Sequence, residues 1–417
     1  MLDIKYIREN EAKVKEALLK RMDPADLDLS ALIKSDDERK EAIQKVEELK
    51  SERNKFSKTK PDAETIARMK ALGEEIAALD KALEKIEGEF SDRMLALPNI
   101  PADDVVAGGK ENNEVVYTFG ELPQFDFTPK DHVELATSLD IIDYERAAKM
   151  SGSGFWIYKG AGALLEWALL NYFVDFHTTN GYTFIIPPFL LNEASATASG
   201  HLPKFRDDLF WTEDKLCLNA TSEMMLGNYH RDEILSEEEL PHKYFAYSPC
   251  FRREAGSYRK EERGMIRGHQ FNKIEMFQYT KPEESWTAFE QMRSQAEKLL
   301  AGLGLHFQTS KLAAGDCSAA MAKTMDLEVW IPSMGIYKEV SSVSNALDYQ
   351  SRRGAMRFKN KETGKTEFMH TLNGSGLATS RLVPAILEQF QQADGSILVP
   401  EVLRRFLPGG LSVISLK

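Results

Sequence analysis

Cysteine is scarce. The chain has three, Cys217, Cys250 and Cys317, in 417 residues, and no two of them form a CxxC pair. No histidine lies at zinc-site spacing from any of them, so no zinc and no disulfide framework are expected. Scattered thiols in a chain of this size read as reduced cysteines in a cytosolic protein. Positive charge is also short: 53 Lys and Arg face 65 Asp and Glu, a formal net charge of −12. The chain as a whole is no polycation, and any polyanion it binds has to meet local basic patches on an acidic body. No apolar run is long enough to span a bilayer, because Glu166, Asn171 and Asp175 interrupt the best candidate. The opening MLDIKYIREN is charged from its third residue, so no secretory signal is expected.

What is present is length and periodic order. A chain of 417 residues predicts two or three domains with substantial cores. Residues 1–22 read as a short amphipathic helix, with Ile4, Ile7, Val14, Ala17 and Leu18 on its apolar side; Pro24 and the DLDLS run end it. From about Asp36 the composition shifts to Lys, Glu, Arg and Ala. Ala42, Val46, Leu49, Arg53 and Phe56 alternate spacings of four and three, and Met69, Leu72, Ile76, Leu79, Leu83, Ile86 and Phe90 resume them beyond Pro61. This predicts an antiparallel two-helix coiled coil over about 36–58 and 62–93; a solvated charged hairpin fits the same pattern. Pro98 and Pro101 then open a loop-rich linker over 101–130.

Beyond the linker, Gly160–Asn180 reads as a helix with Leu164, Leu165, Ala168, Leu169, Tyr172, Phe173 and Phe176 on a wide apolar face. YTFIIPPF follows as a strand stopped by prolines. Residues 281–312 read as a helix and a strand, and DLEVWIP as an alternating strand. The end of the chain reads as a strand, a glycine turn and a helix starting near Ser380, with Pro384 in its first turn. The fold class is α+β: a helical arm over 1–100, and a domain over 131–417 on a mostly antiparallel sheet flanked by helices.

Tyr244–Tyr279 carries the densest chemistry. Two strands, Tyr244 to about Glu254 and Arg267 to Tyr279, flank a loop holding Arg259, Lys260, Glu261, Glu262 and Arg263. Alternation puts His269, Phe271, Lys273, Glu275 and Phe277 on one face and Gln270, Asn272, Ile274, Met276 and Gln278 on the other. Arg252 stands two residues before Glu254 and shares its face. An arginine suits bidentate contact with phosphate or carboxylate, and Phe271 offers a flat surface to a heterocycle. At ~3.4 Å per residue, Phe271 and Glu275 stand roughly 14 Å apart. That span suits an extended ligand with a heterocycle at one end and a small polar group at the other. A surface hairpin with weak Arg–Glu pairs accounts for the charges as well. Three further signals stand alone less well. Thr221-Ser222-Glu223 reads as a helix cap or a pocket wall. Glu339 and Ser342 offer hard oxygen ligands, or mark a strand end with an ST-turn. Arg381 sits where a helix start would meet a polyphosphate.

FRRE, a loop and RGHQFNKIE resemble motif 2 of the class II aminoacyl-tRNA synthetases, and the wider SPCFRREAGSYRKEERGMIRGHQFNKIEMFQYTKPEES resembles the seryl-tRNA synthetase family. The resemblance runs along nearly the whole chain. MLDIKYIREN, LKSERNKFSK, NATSEMMLGNYHRDEIL, LPKF and EVSS each resemble family stretches. The long helix with its proline-ended strand looks like motif 1, which in the family builds a homodimer interface, and LNGSGLATSR looks like motif 3. Three positions depart from the pattern: His201 stands where Gln is expected, Gly268 where a larger residue is expected, and Ser380 where Gly is expected.

The resemblance implies ATP-dependent activation of L-serine to seryl-adenylate, then transfer to the 3′ end of serine tRNA, with selenocysteine tRNA a further candidate acceptor. It implies that Arg252 and Arg381 are catalytic, Arg252 bridging carboxylate and α-phosphate and Arg381 taking the γ-phosphate. ATP would be held by Arg252, Arg253, Glu254, Gly268, Phe271, Glu339, Val340, Ser341, Ser342 and Arg381, with Glu254 on the adenine amino group and Phe271 stacked on the ring. Serine would be surrounded by Thr221, Ser222, Glu223, Glu275, Asn373 and Ser375, and Mg²⁺ held by Glu339 and Ser342. The arm would grip tRNA, with Lys50, Arg53, Lys55, Lys58 and Lys60 toward its tip. A cytoplasmic homodimer is implied. Two rivals remain: an amino-acid:carrier-protein ligase of the same catalytic fold, which lacks the arm, and a non-catalytic RNA-binding relative, which would be expected to lose Arg252, Glu254 or Arg381.

Overall fold

Helix α1 (Ile4–Glu9) and helix α2 (Glu11–Leu18) open the chain. They are two helices, where the sequence predicts one. Asn10, at φ −132°, breaks the run and turns its side-chain amide back onto the Tyr6 carbonyl at 3.1 Å. The computed structural model describes residues 1–56, 62–255 and 264–416, in two units, Met1–Ile100 and Pro101–Lys417.

The first unit is dominated by α3 (Leu29–Phe56) and α4 (Ala63–Ala96). The first of these starts earlier than its heptads suggest. Asp28, which the sequence reading places in a helix-ending run, accepts from the Ala31 amide at 2.8 Å and so caps the next helix. Val46, Leu72 and Ile76 are buried along the seam, and its other members, Arg53 included, are half-buried. Arg68 lies over Phe56 at 5.4 Å and Arg39 over Phe90 at 4.9 Å, so long cationic stems cover apolar rings of the seam. Asp36 has no exposed side-chain surface and is held by Arg8, Arg39 and Lys40 at 3.2, 3.0 and 2.6 Å, which ties α1 to α3. Lys50 pairs across the hairpin with Asp80 at 2.9 Å. Lys58, Lys60 and the turn at Pro61 lie outside the described residues.

The second unit is built on an eight-stranded sheet. Its strands are β1 (Glu114–Phe119), β2 (Thr183–Ile185), β3 (His242–Phe251), β4 (Gln270–Thr280), β5 (Phe307–Lys311), β6 (Lys323–Ile331), β7 (Ile336–Leu347) and β8 (His370–Ala378). Their spatial order is β1-β5-β6-β7-β8-β4-β3-β2. Every pairing is antiparallel except the edge pair β2–β3. Helices α5 (Ala161–Thr179), α6 (Ser285–Gly302) and α7 (Thr379–Gln389) cover one face. Their Leu165, Phe173, Phe289, Met292, Leu382 and Ile386 share one core with Ile274, Met276, Leu327, Val343 and Leu372 of the strands. The period-2 alternation of β4 thus sends Ile274 and Met276 to the helices and leaves Lys273 and Glu275 for the opposite face.

Several boundaries differ from the sequence reading for local reasons. The 101–130 linker contains β1, an edge strand exposed along most of its length, which gives no burial period to read. Strand β3 ends at Phe251, and Glu254 adopts φ 50°, so Arg252 and Glu254 are not strand neighbours on one face. Strand β4 begins at Gln270, and the loop residues Arg259, Lys260, Glu261, Glu262 and Arg263 lie outside the described residues. Helix α7 starts at Thr379, which puts Pro384 beyond the first turn; its missing N–H leaves that position without the i→i−4 bond. On α5, Leu165, Ala168, Leu169, Tyr172 and Phe173 are buried, while Leu164 turns outward at 41% exposure.

Candidate active site

The centre of the open sheet face is a buried ion pair. Lys273 Nζ lies 2.8 Å from Glu275 Oε2, with side-chain exposures of 7% and 1%. The two residues are neighbours on one face of β4. Glu275 pairs across the ladder with Ser375 of β8, whose hydroxyl reaches Glu275 Oε2 at 3.4 Å. Asn373, two residues earlier on the same face of β8, donates to Oε1 at 3.2 Å, and Thr221 donates to Oε2 at 3.4 Å. The carboxylate therefore gathers four donors from three segments of chain.

Thr221 and Glu223 belong to a loop pinned from behind. Asn219 donates to the Ser248 hydroxyl and the Pro249 carbonyl, both at 2.9 Å, and Ser222 Oγ meets Ser248 Oγ at 2.7 Å. Ser222 therefore points into the fold and away from the cavity, contrary to the expected serine contact: at a tight turn, successive side chains diverge. Glu223 accepts from Gln350 Nε2 at 2.7 Å, and Thr371 orients that amide by donating to its oxygen at 2.7 Å. Burial, reinforced by the neighbouring Glu275 charge, pushes the Glu223 carboxyl up to about 7 against the opposing pull of Lys273, Gln350 and Arg252.

Thr221, Glu223, Lys273 and Glu275 line a cavity of about 320 Å³ together with His201, Arg252, Glu254, Glu339, Ser342, Asn373 and Ser375. A second hollow is lined by Arg252, Glu254, Gly268, Phe271, Lys273, Glu339, Val340, Ser375, Ser380 and Arg381. Arg252, Glu254, Lys273, Glu339 and Ser375 border both, so the two hollows form one continuous site. Arg252 donates to the Ala220 carbonyl at 3.3 Å and lies over the Phe271 ring at 5.2 Å. Glu254 reaches the site despite leaving the strand, and Arg267 holds it at 3.1 Å. Arg381 donates to the Ile266 carbonyl at 3.2 Å and the Glu339 carbonyl at 2.6 Å.

The start of α7, which carries Arg381, is held from the helix side. Glu166 of α5 accepts from Thr379 at 2.6 Å and from Asn272 at 2.8 Å. Burial raises this carboxyl to about 7. Glu339 and Ser342 are three residues apart, a spacing that would place them on opposite faces of a regular strand. A bulge in β7 corrects this: Leu327 pairs with Ser341 and Glu328 with Glu339, leaving Val340 extra. Both oxygen donors consequently face the first cavity. Ser341 is turned to the other side and donates to the Ser375 carbonyl at 2.6 Å, so it lines neither hollow. Arg253, between two residues that line the site, is exposed and lines neither hollow. Alternation places Lys273 on the correct face, but the sequence assigns it no role. Gln350, on a distant short helix, carried no local signal.

The departure at Gly268 has a packing cause. A Cβ there would stand 2.1 Å from Trp156 Cζ3 and 2.9 Å from the Gly154 carbonyl oxygen. The indole occupies the volume that a side chain at 268 would fill. Gly268→Ala should therefore destabilise the fold by about 1–3 kcal/mol through overpacking, read by urea unfolding. Combining it with Trp156→Ala should give less than the sum of the two losses; strict additivity would contradict the packing argument.

Comparison with known proteins agrees with this arrangement. Residues 1–101 match the seryl-tRNA synthetase N-terminal domain, and residues 205–390 match the tRNA synthetase class II core domain (G, H, P, S and T). The chain is 57% identical to serine–tRNA ligase 2 of Clostridium acetobutylicum, over 98% of this chain and 99% of that one. It is 46% identical to the serine–tRNA ligase of Thermodesulfovibrio yellowstonii, over 99% and 100%. Among solved structures, the seryl-tRNA synthetase of Pyrococcus horikoshii complexed with ATP superposes with a TM-score of 0.90 at 33% identity, over the whole of both chains. The cytoplasmic serine–tRNA ligase of Naegleria fowleri in complex with AMP gives 0.85 at 30%, over 100% of this chain and 99% of that one. With a helical arm, an antiparallel sheet and these full-length relatives, the chain belongs to the seryl-tRNA synthetase family.

Proposed function

We infer that this chain is a serine–tRNA ligase in which Glu275 and its donors read serine, while Arg252 and Arg381 hold the phosphates of ATP. The observation that carries the residue assignment is the buried Glu275, fixed by Lys273 and ringed by Thr221, Asn373 and Ser375 at one end of a site whose other end holds Phe271.

In the first step a serine carboxylate oxygen attacks the α-phosphorus of ATP in line. The bond from that phosphorus to the bridging oxygen breaks, and pyrophosphate leaves. No side-chain nucleophile or general base is required; the rate comes from positioning and charge stabilisation. Arg252 borders both hollows and would bridge the carboxylate and the α-phosphate. Arg381 would take the γ-phosphate, Glu254 the adenine amino group and Phe271 the ring face. Glu339 and Ser342, two hard oxygen donors turned to one side by the bulge, fit a Mg²⁺ ion, which when bound would neutralise phosphate charge. In the second step a terminal ribose hydroxyl of the tRNA attacks the adenylate carbonyl, and AMP leaves.

Glu223 and Glu275 would accept from the serine ammonium and hydroxyl. Alanine would leave a buried acceptor unpaired, which is the strongest form of rejection such a pocket offers. Trp167, Phe184 and Ile186, exposed by 57%, 40% and 70% on α5 and beside the β2 edge, support a homodimer face. Among the described residues no helix is long and apolar enough to cross a membrane; the scattered buried thiols support a cytoplasmic setting.

Two measurements test this reading. With a Glu223 carboxyl near 7, flanked by Glu275, Lys273 and Arg252, the accepting carboxylate is present above that value and lost below it. The KM for serine in ATP–pyrophosphate exchange should rise as pH falls through about 7, and Glu223→Gln should remove that limb; an unchanged profile in the variant would contradict the assignment. The second concerns the arm. Deleting residues 36–93 and closing the gap with a short flexible linker should leave serine-dependent exchange largely intact. Charging of tRNA should fall steeply, and RNA affinity should lose part of its salt dependence. Charging at near wild-type efficiency after the deletion would overturn the arm's role.

A further inference from the structure

The open face of β6 carries two carboxylates with different surroundings. Glu328 is saturated by protein donors: Gln308 reaches it at 2.9 Å and Ser310 at 2.8 Å, both from β5. Asp326, two residues earlier on the same face, is only 9% exposed, yet its Oδ1 has no hydrogen-bond partner among the described residues. A buried acceptor left open loses its water and gains nothing in return, so such atoms are rare unless something else occupies them. Across the ladder Asp326 pairs with Ser342. Their side chains therefore share one face of the sheet, with the Glu339 charge close by.

A serine hydroxyl that ligates a cation does so through oxygen lone pairs, and its single proton has to be accepted elsewhere. Asp326, the ladder partner of Ser342, offers an open acceptor oxygen for it. The bulge at Val340 brings Glu339 to the same side as Ser342, so the three oxygens converge from two strands.

We propose that Asp326 is a positioning residue for the cation site: it takes the Ser342 proton and so turns the hydroxyl lone pairs toward a divalent cation held with Glu339. The proposal rests on the reading of Glu339 and Ser342 as cation ligands, and it gives the open Oδ1 an occupant, the Ser342 hydroxyl proton. Such outer partners of a metal site are worth about 10–100-fold in metal affinity.

The test is Mn²⁺ binding to the full chain in the presence of ATP, followed by electron paramagnetic resonance, with circular dichroism and thermal unfolding as fold checks. Asp326→Ala should weaken Mn²⁺ by about 10-fold or more, and Asp326→Asn, which keeps an acceptor for the Ser342 hydroxyl, by less. Because Asp326 acts through Ser342, the double variant Asp326→Ala/Ser342→Ala should bind Mn²⁺ little worse than Ser342→Ala alone. Folded Asp326 variants with Mn²⁺ affinity within twofold of the parent, or full additivity in the double variant, would overturn the proposal. Loss of the premise reads differently: Glu339→Gln and Ser342→Ala would then leave Mn²⁺ binding unchanged in an otherwise intact parent.

Discussion

A lysine and a glutamate two residues apart on one strand are both buried at the centre of the catalytic sheet. Neither charge is tolerable there alone. Removing one partner of such a pair typically loses about 3–5 kcal/mol, because the survivor remains desolvated and unpaired. Paired charges in a low-dielectric wall still need their other hydrogen-bonding sites filled. That requirement recruits Thr221 from a loop and Asn373 and Ser375 from β8. The register of β4 against β8, and the path of the loop before Glu223, are thus fixed by the same carboxylate.

The opposite faces of the same strands supply the rigidity. Ile274 and Met276 lie in the core under the helices, while Asn272 reaches Glu166 on α5, which also holds Thr379 at the start of α7. One strand therefore serves both ends of the site. Its open face is the one proposed to read the small polar substrate, and its helix face positions the helix that carries Arg381. Pockets built on strands backed by a packed core hold their geometry better than pockets built on loops, and catalysis by positioning alone demands that.

Much of this was legible in the sequence where a period governs the backbone. The alternation over β4 separates Phe271, Lys273 and Glu275 from Ile274 and Met276, and the four-three spacing marks the arm's seam, because strands and helices repeat their side-chain directions. The failures fall where that repeat is broken. Val340 is an extra residue, so Ser342 shares a face with Glu339 while Ser341, expected at ATP, turns to the other side. Thr221, Ser222 and Glu223 sit at a turn, where adjacency says nothing about direction. Gln350 and Trp156 meet the site only through the tertiary fold, and no local pattern announces either. Asp28 falls in a run that reads as the end of one helix, yet its side chain begins the next, a capping ambiguity that short acidic residues carry.

The central claim is that the charge on Glu275 is what recognises serine. The most direct measurement is the ratio of kcat/KM for serine over alanine in ATP–pyrophosphate exchange, compared between the parent and Glu275→Gln, with the KM for ATP followed alongside. The account predicts that the ratio collapses by about 10²-fold or more, the scale of losing a hydrogen-bonded polar contact in a site built around it, while the KM for ATP stays within a few-fold. A variant that keeps the parent's preference for serine would contradict it.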